Sequence, residues 1–239
     1  MVDKPPFLLI HPSKPGGPPT LWAALRALLA FELVNGGQVS IVNRLDRETS
    51  GLVLIAKNAA TARRFGLAME QRRIAKEYLA IVSGWPEWET ITVDAPLARQ
   101  GAHKPSAIWL KQAIHEKGAP ALTGFRLEDR FVRPGSRSGK FAIVRALPRT
   151  GRTHQIRVHL AHLGHPIVGD KIYGPNEKLY LRFIETGWTE ALQRQLLLPR
   201  HALHSARLRI DDQLDWRSPI PPDLAKWIRG GPSAVSGAV

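Results

Sequence analysis

Along this chain, apolar residues alternate with polar ones in short runs, and only a few segments carry the longer spacing of a helix. Residues 21–31, LWAALRALLAF, repeat apolar positions at helical spacing behind Thr20, which reads as an N-cap. Residues 61–74 read as a second, arginine-rich helix that ends near the strand KEYLAIVSG at 76–84. Short strands dominate the rest. FAIVRAL at 141–147 is one, ending at a PRTGR turn, and segments around Trp109 and Phe125 read as a strand pair. HQIRVHL reads either as an alternating strand or as a helix start, and residues 175–199, with KLYLRFIETGWTEALQRQLLL, as a helical insertion. HPSKPGGPP at 11–19 must be loop, and GGPSAVSGAV at 230–239 a disordered tail. The sum is an α+β chain, a mixed and mostly antiparallel sheet in one domain over residues 1–229.

Composition narrows the partner. Lysine plus arginine exceed aspartate plus glutamate by 34 − 20 = 14, and the sequence pI is near 10.7. Such an excess attracts polyanions, so nucleic acid leads and an acidic membrane surface is the alternative use of the same charge. No stretch approaches the roughly 20 apolar residues of a spanning helix, and no secretory signal opens the chain, so the expected location is the cytoplasm with no membrane partner. The absence of cysteine removes disulfides and thiolate metal sites. At 239 residues, 44% of them hydrophobic, the chain can bury a substantial core.

Within IVNRLDRETSGLVLIAK, residues 41–57, one carboxylate, Asp46, stands between two arginines and a TSG turn, with apolar segments on both sides. Strand, turn and second strand would hold it at a rigid corner, as a nucleophile requires. Arg44 and Arg47 favour its ionised form. The plainer reading is a surface ion pair beside a tight turn.

Four blocks in one order decide between these readings. NRLDRETSGLVLIAKN, KEYLAIVSG, PRTGRTHQIRVHLAHLGHPIVGDKIYG at 148–174 and RHALHSARL at 200–208, together with DKP and IHP near the start, resemble the RluA-type RNA pseudouridine synthases over most of the chain. One departure is visible: Asn43 stands where that family usually has histidine, and an amide cannot carry charge. The resemblance implies an antiparallel sheet split by a central RNA-binding cleft. It also implies isomerisation of uridine without a cofactor: the N1–C1′ bond is cut, the base turns, and C5 takes the place of N1.

Carried over by motif, Asp46 is the catalytic aspartate, Tyr78 the active-site tyrosine and Arg157 the arginine that pairs with the aspartate. Arg44, Arg152, His154 and Ile156 are the implied substrate-binding residues, Arg44 by filling the space of an extruded base. Each has a plainer reading: Tyr78 as a packing residue, Arg157 as the partner of a structural carboxylate, Arg44 as a phosphate contact. His154, His159, His162 and His165 crowd within twelve residues, but without HExxH or cysteine they imply no metal; His154 would shape the site wall and the others cap turns or meet phosphate. Arg63, Arg64, Arg72, Arg73 and Lys76 form either a solvated face or an RNA-backbone contact. The expected partner is a tRNA or ribosomal RNA stem-loop recognised by the catalytic domain itself, since little precedes Asp3, with no obligate protein partner. A non-catalytic RNA-binding protein and a hydrolytic nucleosidase are the competing classes.

Overall fold

The computed structural model describes residues 1–12, 14–133 and 139–230. In chain order its elements are β1 (Val2–Lys4), α1 (Leu21–Leu28), α2 (Ala30–Val34), β2 (Ser40–Ile41), β3 (Ser50–Val53), β4 (Ile55–Ala56), α3 (Ala59–Glu70) and β5 (Ile74–Ser83). There follow β6 (Thr90–Asp94), β7 (Leu97–Arg99), β8 (Gln112–Ile114), β9 (Leu122–Val132), β10 (Lys140–Pro148), α4 (Gln155–His162), α5 (Lys178–Thr186), α6 (Glu190–Leu196), β11 (Leu203–Ile210), β12 (Leu214–Arg217) and α7 (Pro222–Ile228). They group into two compact units. Met1–Lys76 with His204–Pro219 form the first, and Glu77–Leu203 with the segment from Ile220 form the second.

In the first unit β3 pairs antiparallel with β1 and parallel with β11, which carries β12 on its other part. α3 lies on β4, and Leu52, Leu54, Ala56, Phe65, Ala68, Ile74, Leu208 and Ile210 form one buried cluster. Asn58 caps α3 by accepting the Thr61 N–H at 2.8 Å. That helix stops at Glu70, not at 74: Arg72 takes a left-handed φ of 57° and Ile74 already opens β5. Thr20 caps α1 as expected, with Oγ1 accepting from Ala23 N. The helix expected over 21–31 is broken after Leu28, and α2 resumes at Ala30.

The second unit holds antiparallel strands in the order β5–β10–β9–β6, in which Tyr78 stands opposite Ala146 and Phe125 opposite Ile91. Trp227 of α7 packs edge-on against Phe131 and Phe141. Phe125 is in a strand, but Trp109 is not: it lies in a turn, 74% exposed, with the Arg99 guanidinium 3.6 Å from its ring centre, and the neighbouring β8 pairs with β7 instead. The HQIRVHL segment is helix α4. Residues 175–199 hold α5 and α6, which bury Leu179, Leu192 and Leu196 together. Of the tail expected at 230–239, all but Gly230 lies outside the described residues.

Candidate active site

The corner that carries Asp46 is built by a ladder that changes hands. β2 pairs with β4, Ile41 opposite Ile55, and the ladder continues as the Val42 N–H donates to the Leu54 carbonyl at 2.8 Å. At the next step the main chain leaves and the Asn43 side chain takes its place. Oδ1 accepts the Leu54 N–H at 2.7 Å, and Nδ2 donates to the Leu52 carbonyl at 3.2 Å. The released backbone passes Arg44, buried Leu45 and half-buried Asp46, then turns back where the Thr49 N–H donates to the Asp46 carbonyl at 3.2 Å.

Two further groups fix this turn. Lys4, with no exposed surface, donates from Nζ to the carbonyls of Pro5, Leu8 and Arg47 at 2.8, 3.0 and 3.2 Å. Gly51 has φ of 109°, and a Cβ there would lie 2.3 Å from the Ser205 carbonyl oxygen, so only glycine fits between the β1 and β11 backbones. Ser50 Oγ meets His204 Nδ1 at 3.0 Å beside it. The TSG run is thus a docking point for the turn, and Arg44 and Arg47 are both exposed on it.

In the second unit Tyr78 is 8% exposed in β5. The GRTHQIR segment turns into α4 through a buried amide. Gln155 Oε1 accepts from Thr150 Oγ1 at 2.8 Å and from Arg152 N at 2.9 Å, while its Nε2 donates to Leu122 O and Thr123 Oγ1. His154 precedes the helix at a left-handed φ of 58°, and its Nδ1 lies 2.8 Å from the Tyr173 hydroxyl, which also accepts the Gln112 N–H at 2.8 Å. Arg152 is exposed and donates to Pro120 O at 3.1 Å, whereas Ile156 is buried.

Arg157, 5% exposed, engages a carboxylate that no sequence motif singled out. Its Nε donates to Asp170 Oδ2 at 2.7 Å and its Nη2 to Oδ1 at 2.9 Å. Oδ1 also accepts the Ile172 and Tyr173 N–H groups, each at 3.0 Å. Burial opposes the charge on Asp170, but Arg157 above all, with His201 and the Tyr173 N–H, holds its carboxyl far below the usual carboxylate range. The Arg157 guanidinium carbon also lies 5.0 Å from the centre of the Tyr173 ring. Asp170 thus serves as the structural carboxylate for Arg157. The signal in the sequence was GDKIYG: a Cβ on Gly174 would lie 2.2 Å from the Asp170 carbonyl oxygen and one on Gly169 2.0 Å from that of Arg200, so the two glycines flank the aspartate where a turn and a second chain segment pass closely.

The histidines do not act as a group. His159 is wholly buried, its Nδ1 3.0 Å from Thr123 Oγ1 and its Nε2 3.0 Å from the Ala95 carbonyl, and burial pushes its pKa down; enclosed in this way it is not a phosphate contact. His165 Nδ1 faces the Ser83 carbonyl at 3.0 Å. The basic run is dispersed as well. Arg63 and Arg64 are exposed on α3, Arg73 pairs with Asp211, and Lys76 is half-buried, with its pKa lowered by that burial.

Residues 1–162 match the family model described as RNA pseudouridylate synthase. An uncharacterized RNA pseudouridine synthase of Chloroflexus aurantiacus is 38% identical over 93% of this chain and 63% of its own length. The ribosomal large subunit pseudouridine synthase D of Escherichia coli is 34% identical over 95% of this chain and 66% of its own. The chain therefore spans somewhat less than two thirds of the length of these curated relatives. Among solved structures, human RNA pseudouridylate synthase domain containing 1 superimposes with a TM-score of 0.62 at 26% identity, over 87% of this chain and 76% of that one. No helix among the described residues is long and apolar enough to cross a membrane.

Proposed function

The chain belongs to the RNA pseudouridylate synthase family, as its RluA-type motifs implied, and from that premise we propose that it converts uridine to pseudouridine in structured ribosomal RNA, with Asp46 as the nucleophile and no cofactor. The observation that carries this reading is the corner at Asp46. A half-buried carboxylate sits on a turn whose backbone is fixed by the Asn43 amide, the buried Lys4 ammonium and the close approach of Gly51. Such fixing holds a nucleophile near its attack geometry, which is worth several orders of magnitude in rate.

The reaction conserves atoms. The glycosidic N1–C1′ bond breaks, the uracil turns, C5 bonds to C1′, and the C5 proton leaves while N1 gains one. Asp46 stabilises or bonds the carbon that loses N1, Tyr78 presents its ring and hydroxyl to the uracil, and Arg157 favours the ionised aspartate. Arg44 takes the place of the extruded base, and Arg152, His154 and Ile156 line the substrate side. Ribosomal RNA is favoured over tRNA because relatives at 32–34% identity carry the name ribosomal large subunit pseudouridine synthase D. That substrate would be met in the cytoplasm, by a chain whose net charge of +14 suits a polyanion.

The test is incubation of the purified protein with large-subunit ribosomal RNA fragments and, separately, tRNA, followed by nucleoside analysis. A C-linked uridine isomer of unchanged mass in the ribosomal fragments is the expected product. Free uracil would instead identify a nucleosidase, and modification confined to tRNA would overturn the ribosomal assignment.

A further inference from the structure

Asn43 continues the β2–β4 ladder with its side chain at the very residue where the backbone departs toward Asp46. It is 6% exposed, and both its amide atoms bond to main-chain groups at the junction of β3 and β4. A primary amide is the side-chain group that imitates a peptide unit, offering one acceptor and one donor at once with no charge to titrate. We propose that Asn43 is a positioning residue: its amide clamps the Leu52 carbonyl and the Leu54 N–H so that the turn bearing Asp46 leaves the ladder at a fixed point, and it does so independently of pH. The role in turnover rests on reading Asp46 as the nucleophile; the clamp itself does not.

The polarity of the two bonds makes this testable by one atom. Asn43→Asp keeps the acceptor for Leu54 N–H, but as a carboxylate it sets a second oxygen against the Leu52 carbonyl. Protonated, it regains a donor and restores both bonds. Burial and that opposing carbonyl raise the pKa of the introduced carboxyl above the unfolded value of about 3.9. The variant is therefore most stable below that unfolded value and loses stability as pH rises through the higher folded one. Asn43→Leu, similar in size, removes both bonds at every pH.

The experiment measures kcat and KM on ribosomal RNA fragments, melting temperature, and Leu54 amide hydrogen exchange, for wild type and both variants between pH 5 and 8. At pH 8 both variants should lose roughly hundredfold in kcat with KM little changed, the scale of a misplaced reacting group. At pH 5 Asn43→Asp should regain about tenfold relative to wild type as its carboxyl protonates, and its melting temperature should rise with it. Asn43→Leu should show no such recovery, and at fixed pH its Leu54 amide should exchange faster than in wild type. An Asn43→Asp protein that tracks Asn43→Leu at every pH, or that matches wild type at pH 8, would overturn the clamp. If wild type itself makes no pseudouridine, the melting and exchange results still decide the clamp, so the two failures are distinguishable.

Discussion

At the Asp46 corner, what is gripped is the backbone around the proposed nucleophile: an amide, an ammonium and a glycine contact hold the main chain, and the carboxylate is left half-buried at the crest. At the start of α4 the grip is on the Arg157 side chain itself. Two atoms of the Arg157 fork bond to a carboxylate with no exposed surface, and that carboxylate is itself tied to two backbone N–H groups. The difference follows from the work proposed for each. A nucleophile must approach and leave a substrate atom, so its support belongs in the chain beneath it, whereas a cation that only biases a charge can be locked in place.

The largest effect is expected at Asp170. Asp170→Asn leaves a buried guanidinium facing a neutral amide, and denaturant unfolding should register a loss of about 3–5 kcal/mol, the range for breaking a buried pair. In wild type the same pair makes stability depend on acid. The lowered Asp170 pKa contributes stability that is complete above the unfolded value, near 4, and is lost as pH falls through the folded value. Melting curves for Asp170→Asn should accordingly lack part of the wild-type decline below that pH.

Next in size, Gly51→Ala forces a Cβ to 2.3 Å from the Ser205 oxygen at a φ that side chains avoid. It should destabilise by about 3 kcal/mol, and unchanged unfolding would show that the Gly51–Ser205 approach does not constrain the fold. Lys4→Met keeps the apolar stem but takes hydrogen bonds from three carbonyls, for about 2 kcal/mol. Faster amide exchange around Arg47 would locate that loss at the Asp46 turn, and exchange confined to β1 would not. The smallest effect concerns neither grip. Replacing exposed Arg63 and Arg64 by alanine should flatten the slope of log K for RNA against log salt by up to ~0.7 for each phosphate that is no longer neutralised. An equal slope would leave them a solvated face.

Much of this was legible in the sequence because it is local. Thr20 caps α1, KEYLAIVSG and FAIVRAL are neighbouring strands, and the segments flanking RLDRETSG do double back on each other. What was not legible depends on distant chain. Lys4 beside Pro5 looks like a surface lysine until Arg47 supplies a carbonyl from 43 residues away. Asp170 reads as a turn residue until α4 brings Arg157 to it. The strand-or-helix ambiguity of HQIRVHL arose because α4 is buried along most of its length, which erases the polar face that marks a surface helix. Trp109 reads as strand by type, yet its ring is held by Arg99 in a turn.

In the proposed reaction the charge on Asp46, and not merely a residue of its shape, performs the chemistry. Asp46→Asn keeps size and hydrogen-bonding form while removing that charge, so single-turnover assays on large-subunit ribosomal RNA fragments separate charge from shape. RNA binding like wild type is expected, with pseudouridine formation below about a thousandth of the wild-type rate, a loss on the scale of roughly 10²–10⁴-fold that a positioned catalytic group supplies. Turnover above that level with binding intact would contradict it.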